Sequence, residues 1–141
     1  MASKTILVGF DGSESAQRAI TQACQLATKM DAGVLLAYSV RLDMSPYDFP
    51  MSSAGDLNAL IRYGERILAE AKGKLAGSPF PVVTEVLSGS PGEGLAKRAE
   101  APDIYWVVVG RSGRGAVSRF LMGSVASRLA HICEKPLVIV P

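Results

Sequence analysis

Residues Ile104–Val109 read Ile-Tyr-Trp-Val-Val-Val and form the most apolar short run of the chain. Aromatic and β-branched side chains favour strands, and six residues suit a strand better than a helix. The run does not alternate between polar and apolar residues. We therefore expect a central strand that is buried on both faces, as in a parallel sheet.

Similar runs lie on both sides of this strand in the sequence. Lys4–Phe10 and Gly33–Val40 are predicted to be buried strands, and Pro136–Val140 is predicted to be the last strand. Val82–Leu87 alternates more clearly, which predicts a strand nearer an edge of the sheet.

The segments between these strands carry helical signals. One apolar stripe, made mostly of alanine, comprises Ala16, Ala19, Ile20, Ala23, Cys24 and Ala27, with Ser13 or Ser15 as its N-cap. Further helices are predicted over Leu57–Leu75, ending near Gly77, and over Pro91–Glu100 and Gly123–Cys133. Arg41–Gly55 has two prolines and no period, and it predicts a long surface loop. Alternating strands and helices predict one α/β domain over residues 1–141, a three-layer α/β/α sandwich with a five-stranded parallel sheet.

Length and composition exclude several classes of protein. The chain has 141 residues, 48% of them hydrophobic, and only two cysteines, which excludes intrinsic disorder and a disulfide scaffold. A net charge of +2 argues against a dedicated nucleic-acid binder. No apolar run approaches the roughly 20 residues that a membrane helix needs. The N-terminus lacks the pattern of a signal peptide, so we expect a cytoplasmic protein with reduced cysteines.

The segment after the central strand is the strongest functional signal. It reads Gly110-Arg111-Ser112-Gly113, then nine residues, then Gly123-Ser124-Val125. Ligands bind at the carboxyl ends of parallel strands, and glycines let the backbone approach a ligand and permit positive φ. The first N–H groups of the helix opened by Gly123-Ser124 favour an anion such as phosphate. The alternative is that the glycines only permit turns and that Ser124 is only an N-cap.

These residues resemble the universal stress protein family. The resemblance lies in Ile6–Ser13, in the Asp103–Gly110 strand and in the glycine spacing, and it extends over Lys4–Pro141. It implies an ATP-binding, dimeric fold with strand order 3-2-1-4-5. It also implies that Asp11 contacts the adenosine and that the Val40 backbone holds the adenine. The residues implied to line the phosphates and ribose are Gly110, Gly113, Gly123, Ser124 and Val125.

Other residues near this motif have two interpretations. Asp11 is either a ligand contact or the acceptor of an Asx turn that begins the following helix, and the two roles are compatible. Arg111 is a candidate contact for phosphate oxygens, as are Arg114 and Arg119, unless they are solvated loop charges. We expect a bound nucleotide to bring Mg²⁺ through its phosphates rather than through protein ligands.

No catalytic group and no metal-binding set is predicted from the sequence. His131 is the only histidine, and it is predicted to lie near the C-terminus of a helix, on the surface. Four arginines and no acidic residue occur between Ile104 and Cys133, so this stretch carries +4 while the rest of the chain carries −2. That uneven distribution favours a small anion such as ATP over a long nucleic acid.

The sequence therefore predicts a regulatory protein that binds ATP and acts through assembly or through an unknown client protein. One alternative is a slow ATPase or a nucleotidyl-transfer enzyme. Another is a dimeric interaction subunit without nucleotide. Residues 137–140 should form an apolar edge strand, which predicts a symmetric homodimer and leaves a larger oligomer open.

Overall fold

The computed structural model describes residues 4–40, 54–112 and 122–141. Strands and helices alternate throughout these ranges, as the sequence predicts. The elements are β1 (Thr5–Gly9), α1 (Glu14–Met30), β2 (Gly33–Val40), α2 (Ala54–Lys74), β3 (Val82–Ser88), α3 (Pro91–Arg98), β4 (Ile104–Gly110), α4 (Ser124–Ile132) and β5 (Leu137–Val140).

The five strands form one parallel sheet in the order β3-β2-β1-β4-β5. The order confirms the arrangement that the family resemblance implies. The short apolar strand β1 lies in the middle, pairing Ile6 with Val34 of β2 and with Trp106 of β4. The more alternating β3 lies at one edge, as its pattern predicts, and the exposed Val83 belongs to it. The strand β5 forms the other edge.

Helices cover both faces of the sheet and confirm the three-layer sandwich. On one face, α1 and α2 pack on Ile6 and Val8, whose side chains are inaccessible to solvent. On the other face, α3 and α4 pack on Leu7 and Val107. Successive residues of a strand point to opposite faces, so a short run without polar alternation supplies both halves of the core.

The observed helix boundaries differ slightly from the predicted ones. The helix α2 begins at Ala54, so the last two residues of the predicted loop are helical; residues 41–53 of that loop lie outside the described ranges. The helix α3 ends at Arg98, two residues before the predicted end at Glu100. Gly123 and Cys133 are the caps of α4 rather than helical residues, because both have extended backbone dihedrals.

Ser13 and Ser15, the two candidate N-caps of α1, have different roles in the structure. Ser13 is the N-cap, and its hydroxyl accepts a hydrogen bond from the Ala16 N–H at 3.1 Å. Ser15 lies inside the helix, is 3% exposed, and donates its hydroxyl proton to the Val140 carbonyl at the end of β5. This buried contact ties the beginning of α1 to the edge of the sheet.

Candidate functional site

A cleft of about 300 Å³ opens at the carboxyl edge of the sheet. There the ends of β1, β2 and β4 meet the N-termini of α1, α3 and α4. The order of strands reverses around β1, and open α/β sheets bind ligands at such a point. The lining residues include Phe10, Asp11, Ser13, Ala37, Tyr38, Ser39, Pro91, Leu95, Gly110, Arg111, Ser112, Gly123, Ser124, Val125 and Ala126.

One backbone hydrogen bond holds the N-terminus of α4 beside the end of β4, and a second holds the end of β4 beside β5. The Gly123 N–H donates to the Arg111 carbonyl at 2.7 Å, and the Arg111 N–H donates to the Val140 carbonyl at 2.6 Å. Gly123 is the N-cap and has no side chain that could bond to the first-turn N–H groups. Since Ser124 and Val125 line the cleft, the donors of this turn and the positive end of the helix dipole lie at the cleft wall.

Gly110 is required for close packing rather than for an unusual backbone conformation. A Cβ placed on it would lie 2.8 Å from the Cβ and from the carbonyl carbon of Ser15, and still closer to the Ser15 hydroxyl. Glycine permits positive φ, but neither Gly110 nor Gly123 adopts it. Within the described ranges, the glycines with positive φ are Gly12, Gly77 and Gly89.

Asp11 lies where β1 ends and α1 begins. Its Oδ1 accepts a hydrogen bond from the Ser13 N–H at 2.9 Å, which is the predicted Asx turn, and Gly12 between them has a φ of 84°. Asp11 also lines the cleft. The structure therefore confirms the turn, and the contact between Asp11 and a ligand stays a prediction.

The contact between the Val40 backbone and adenine that the resemblance implies stays a prediction. Val40 does not appear in the cleft lining, and its carbonyl accepts a hydrogen bond from the Gly89 N–H at 2.9 Å. It lines a second cavity between α2 and β3 instead. The preceding residues Tyr38 and Ser39 line the cleft, and sequence reasoning missed both of them. The only signal for Ser39 was a lone polar residue in an apolar strand.

The arginines of the positive stretch do not share one environment. Arg111 is half-buried in the cleft wall, and its Nε is buried without a hydrogen-bond partner in the described part of the chain. Arg128 instead forms an ion pair with Glu93 of α3, with 3.1 Å between Nη2 and Oε1. The charge that this stretch offers to a ligand is therefore smaller than the sequence count of +4, because a carboxylate from another segment compensates part of it.

Gly113, Arg114 and Arg119 fall outside the described residues. His131 is exposed in the last turn of α4, as predicted, with its Nδ1 at 2.8 Å from the Ser127 carbonyl oxygen. In the ranges that the structure describes, no three His, Cys, Asp or Glu side chains lie close enough together to hold a metal ion. None of the helices there combines the length and apolarity needed to cross a bilayer.

The two cysteines lie on opposite faces of the sheet. Cys24 packs against the core under α1 and α2, and Cys133 packs against the core under α3 and α4. Both are half-buried free thiols. Burial raises the pKa of the Cys24 thiol above its ordinary value.

The fold and the cleft define an open parallel α/β sandwich with a candidate ligand site at the reversal of strand order. The chain belongs to the universal stress protein family, whose family model matches residues 2–141. It is 29% identical, over 97% of its length, to a universal stress protein of Methanocaldococcus jannaschii, and it covers 81% of that protein. It is 30% identical over 96% of its length to a universal stress protein of Mycolicibacterium smegmatis, but spans only 47% of that longer relative.

A solved structure shares the whole fold. It is a universal stress protein in complex with cAMP, 26% identical to this chain. The two superpose with a TM-score of 0.75 over 100% of this chain and 99% of the other. The architecture of the described ranges is therefore that of the family.

Proposed function

We propose that this chain binds an adenine nucleotide, ATP in particular, in the cleft at the carboxyl edge of the sheet. The observation that carries the proposal is the N-terminus of α4, which has no side-chain cap and is fixed at the cleft wall by the bond between Gly123 and Arg111. Phosphate suits such a helix end because both the N–H groups and the dipole favour an anion. The cAMP complex of a 26%-identical relative supports a nucleotide as the ligand.

The composition of the cleft also supports a nucleotide. Its volume of about 300 Å³ lies at the lower end of the usual range for ligand sites. Pro91 and Val125 are partly exposed in the cleft and supply apolar surface for a base, while Arg111 and Ser124 supply donors for phosphates. Mg²⁺ would then be held by the phosphates, and removing it should change the affinity for ATP but not for adenosine.

Two measurements test the nucleotide. Mass spectrometry of small molecules released by denaturing the purified protein should detect an adenine nucleotide. Calorimetric titration should show ATP binding with a dissociation constant well below about 1 mM, a value that corresponds to only about 4 kcal/mol of binding free energy. If neither measurement detects an adenine nucleotide, the proposal is wrong.

We further propose that the bound nucleotide regulates assembly or the binding of a client protein. The cleft residues named above act by hydrogen bonding, charge and apolar contact, which suits retention of a ligand. The competing function is slow ATP hydrolysis. Phosphate release by the purified protein well above the rate without protein would favour the enzyme over the regulatory binding protein.

The edge strand β5 is the proposed surface for a homodimer. Leu137, Val138 and Ile139 are only partly buried in the single chain, and edge strands readily pair with another copy. Ile139→Lys should shift the protein from dimer to monomer in sedimentation. The control is Val83→Lys on the opposite edge strand β3, which should leave the association unchanged. A monomeric unmodified protein, or a dimer that survives Ile139→Lys, would exclude this interface.

A further inference from the structure

The hydroxyl group of Ser39 is buried in the cleft wall without a hydrogen-bond partner among the described residues. Buried hydroxyls in native proteins are nearly always hydrogen-bonded, because an unpaired one has lost its water. The other buried side-chain atom without a partner in those ranges is the Nε of Arg111, which lines the same cleft. Two unsatisfied polar groups in one cleft indicate that a ligand supplies their partners.

The side of Ser39 that faces α3 meets a glycine, which has no side chain that could serve as a hydrogen-bond partner. On the α3 side, its Oγ faces the backbone of Gly94, where an added Cβ would lie 3.4 Å away. The Val40 carbonyl, next in the strand, accepts from the Gly89 N–H. No described residue therefore supplies a hydrogen-bond partner to the Ser39 hydroxyl.

The position of Ser39 in the sheet indicates which part of a nucleotide it meets. It lies at the end of β2, Arg111 follows the end of β4, and β1 separates the two strands. Two strand spacings amount to about 10 Å, a distance that a nucleotide spans between its nucleoside and its phosphates. If the phosphates lie at α4 and Arg111, the nucleoside extends toward Ser39.

We propose that Ser39 is a specificity-determining residue that hydrogen-bonds the nucleoside part of the ligand. The inference rests on the proposed nucleotide function and adds a contact that neither the glycine motif nor Val40 supplies. A serine hydroxyl both donates and accepts, so it can bond to a base edge or to a ribose hydroxyl. In both cases the contact distinguishes a nucleotide from a simple polyphosphate.

The decisive variant is Ser39→Ala, measured by calorimetry with ATP, adenosine and inorganic tripolyphosphate. We expect the affinities for ATP and adenosine to fall by the same factor, about 2- to 12-fold, since one neutral hydrogen bond is lost. The affinity for tripolyphosphate should not change. Arg111→Met should show the reverse pattern, with large losses for ATP and tripolyphosphate and little change for adenosine.

Thermal unfolding without ligand separates this role from a structural one. Ser39→Ala should leave the Tm unchanged or raise it, because it removes a buried polar atom that has no partner. The matched control is Ser15→Ala, which removes a buried hydroxyl bonded to the Val140 carbonyl and should lower the Tm.

Three results would each overturn the role of Ser39 and leave the proposed nucleotide binding intact. They are an unchanged ATP affinity in Ser39→Ala, an equal loss of affinity for tripolyphosphate, and a fall in Tm as large as that of Ser15→Ala. Failure of the unmodified protein to bind ATP or adenosine would instead overturn the proposed function, and the inference with it.

Discussion

The N-cap of α4 offers a substitution with opposite effects on stability and on ligand binding. Gly123 has φ −65° and ψ 163°, the extended conformation of an ordinary N-cap, so a side chain there causes no backbone strain. In Gly123→Asp, the new carboxylate should accept hydrogen bonds from the first-turn N–H groups. These are the donors that we assign to phosphate, so the carboxylate and the ligand would compete for one place.

The expected magnitudes follow from capping and from charge. An Asp cap in place of Gly, together with its interaction with the helix dipole, should add about 0.5–1 kcal/mol to the free energy of unfolding. That should raise the Tm of the ligand-free protein by roughly 1–4 °C. Like charges about 4 Å apart repel by about 1 kcal/mol in water and by about 4 kcal/mol near a protein surface. Since Ser124 is exposed, we expect an intermediate loss of about 1–3 kcal/mol in ATP binding, or roughly 5- to 150-fold.

The matched control is Gly123→Asn, which caps the same N–H groups without a charge. It should raise the Tm slightly and weaken ATP binding by less than about 5-fold, since only the competition for donors remains. Thermal unfolding and calorimetric titration of all three proteins provide the comparison. If Gly123→Asp binds ATP as tightly as the unmodified protein, phosphate does not lie at this helix end. If Asn and Asp weaken binding equally, charge repulsion is not the cause.

Further predictions concern packing, charge and thiol reactivity. Gly110→Ala should destabilise the fold by about 1–3 kcal/mol, because the added methyl group would be overpacked against Ser15. Gly73 has open space around it, so Gly73→Ala should stabilise α2 by up to about 1 kcal/mol. Urea unfolding of the two variants measures both free energies. Glu93→Gln should lower the free energy of unfolding by no more than about 1 kcal/mol, because both side chains of its ion pair with Arg128 are more than half exposed. A larger loss would show that this ion pair contributes substantially to the packing of α3 against α4. Cys24 should react with thiol reagents at pH 8 more slowly than after unfolding in urea, since burial raises its pKa and lowers the thiolate fraction; Cys133→Ser makes the rate specific to Cys24.

Most of the fold could be predicted from local patterns. The runs around Ile6, Leu35 and Val107 lack polar alternation because both faces of the central strands are covered by helices. The more alternating Val82–Leu87 indicated an edge strand, and β3 lies at an edge. Helix ends were less predictable: α2 begins three residues before the predicted Leu57, and α3 ends two residues before the predicted Glu100. The reason is that the residues that cap a helix resemble those inside it.

The candidate site could be predicted only in part. Asp11, Gly110, Arg111, Gly123, Ser124 and Val125 all line one cleft, as the strand ends and the resemblance led us to expect. Val40 lies beside the cleft rather than in its lining. The end of β2 at Val40 was predicted correctly, but an apolar run does not show which residues at that end line a cleft, because the cleft is formed together with distant helices.

The sequence by itself determined the elements, the parallel sheet and the residue types at the carboxyl ends of its strands, because hydrophobic period and glycine placement are local properties. Only the tertiary structure decided what those residues contact. Gly110 lies against Ser15, Arg128 pairs with Glu93, and the Ser39 hydroxyl is left without a partner in the described ranges. These relations join segments far apart in the chain, so they depend on how helices and strands pack and not on any pattern within one segment.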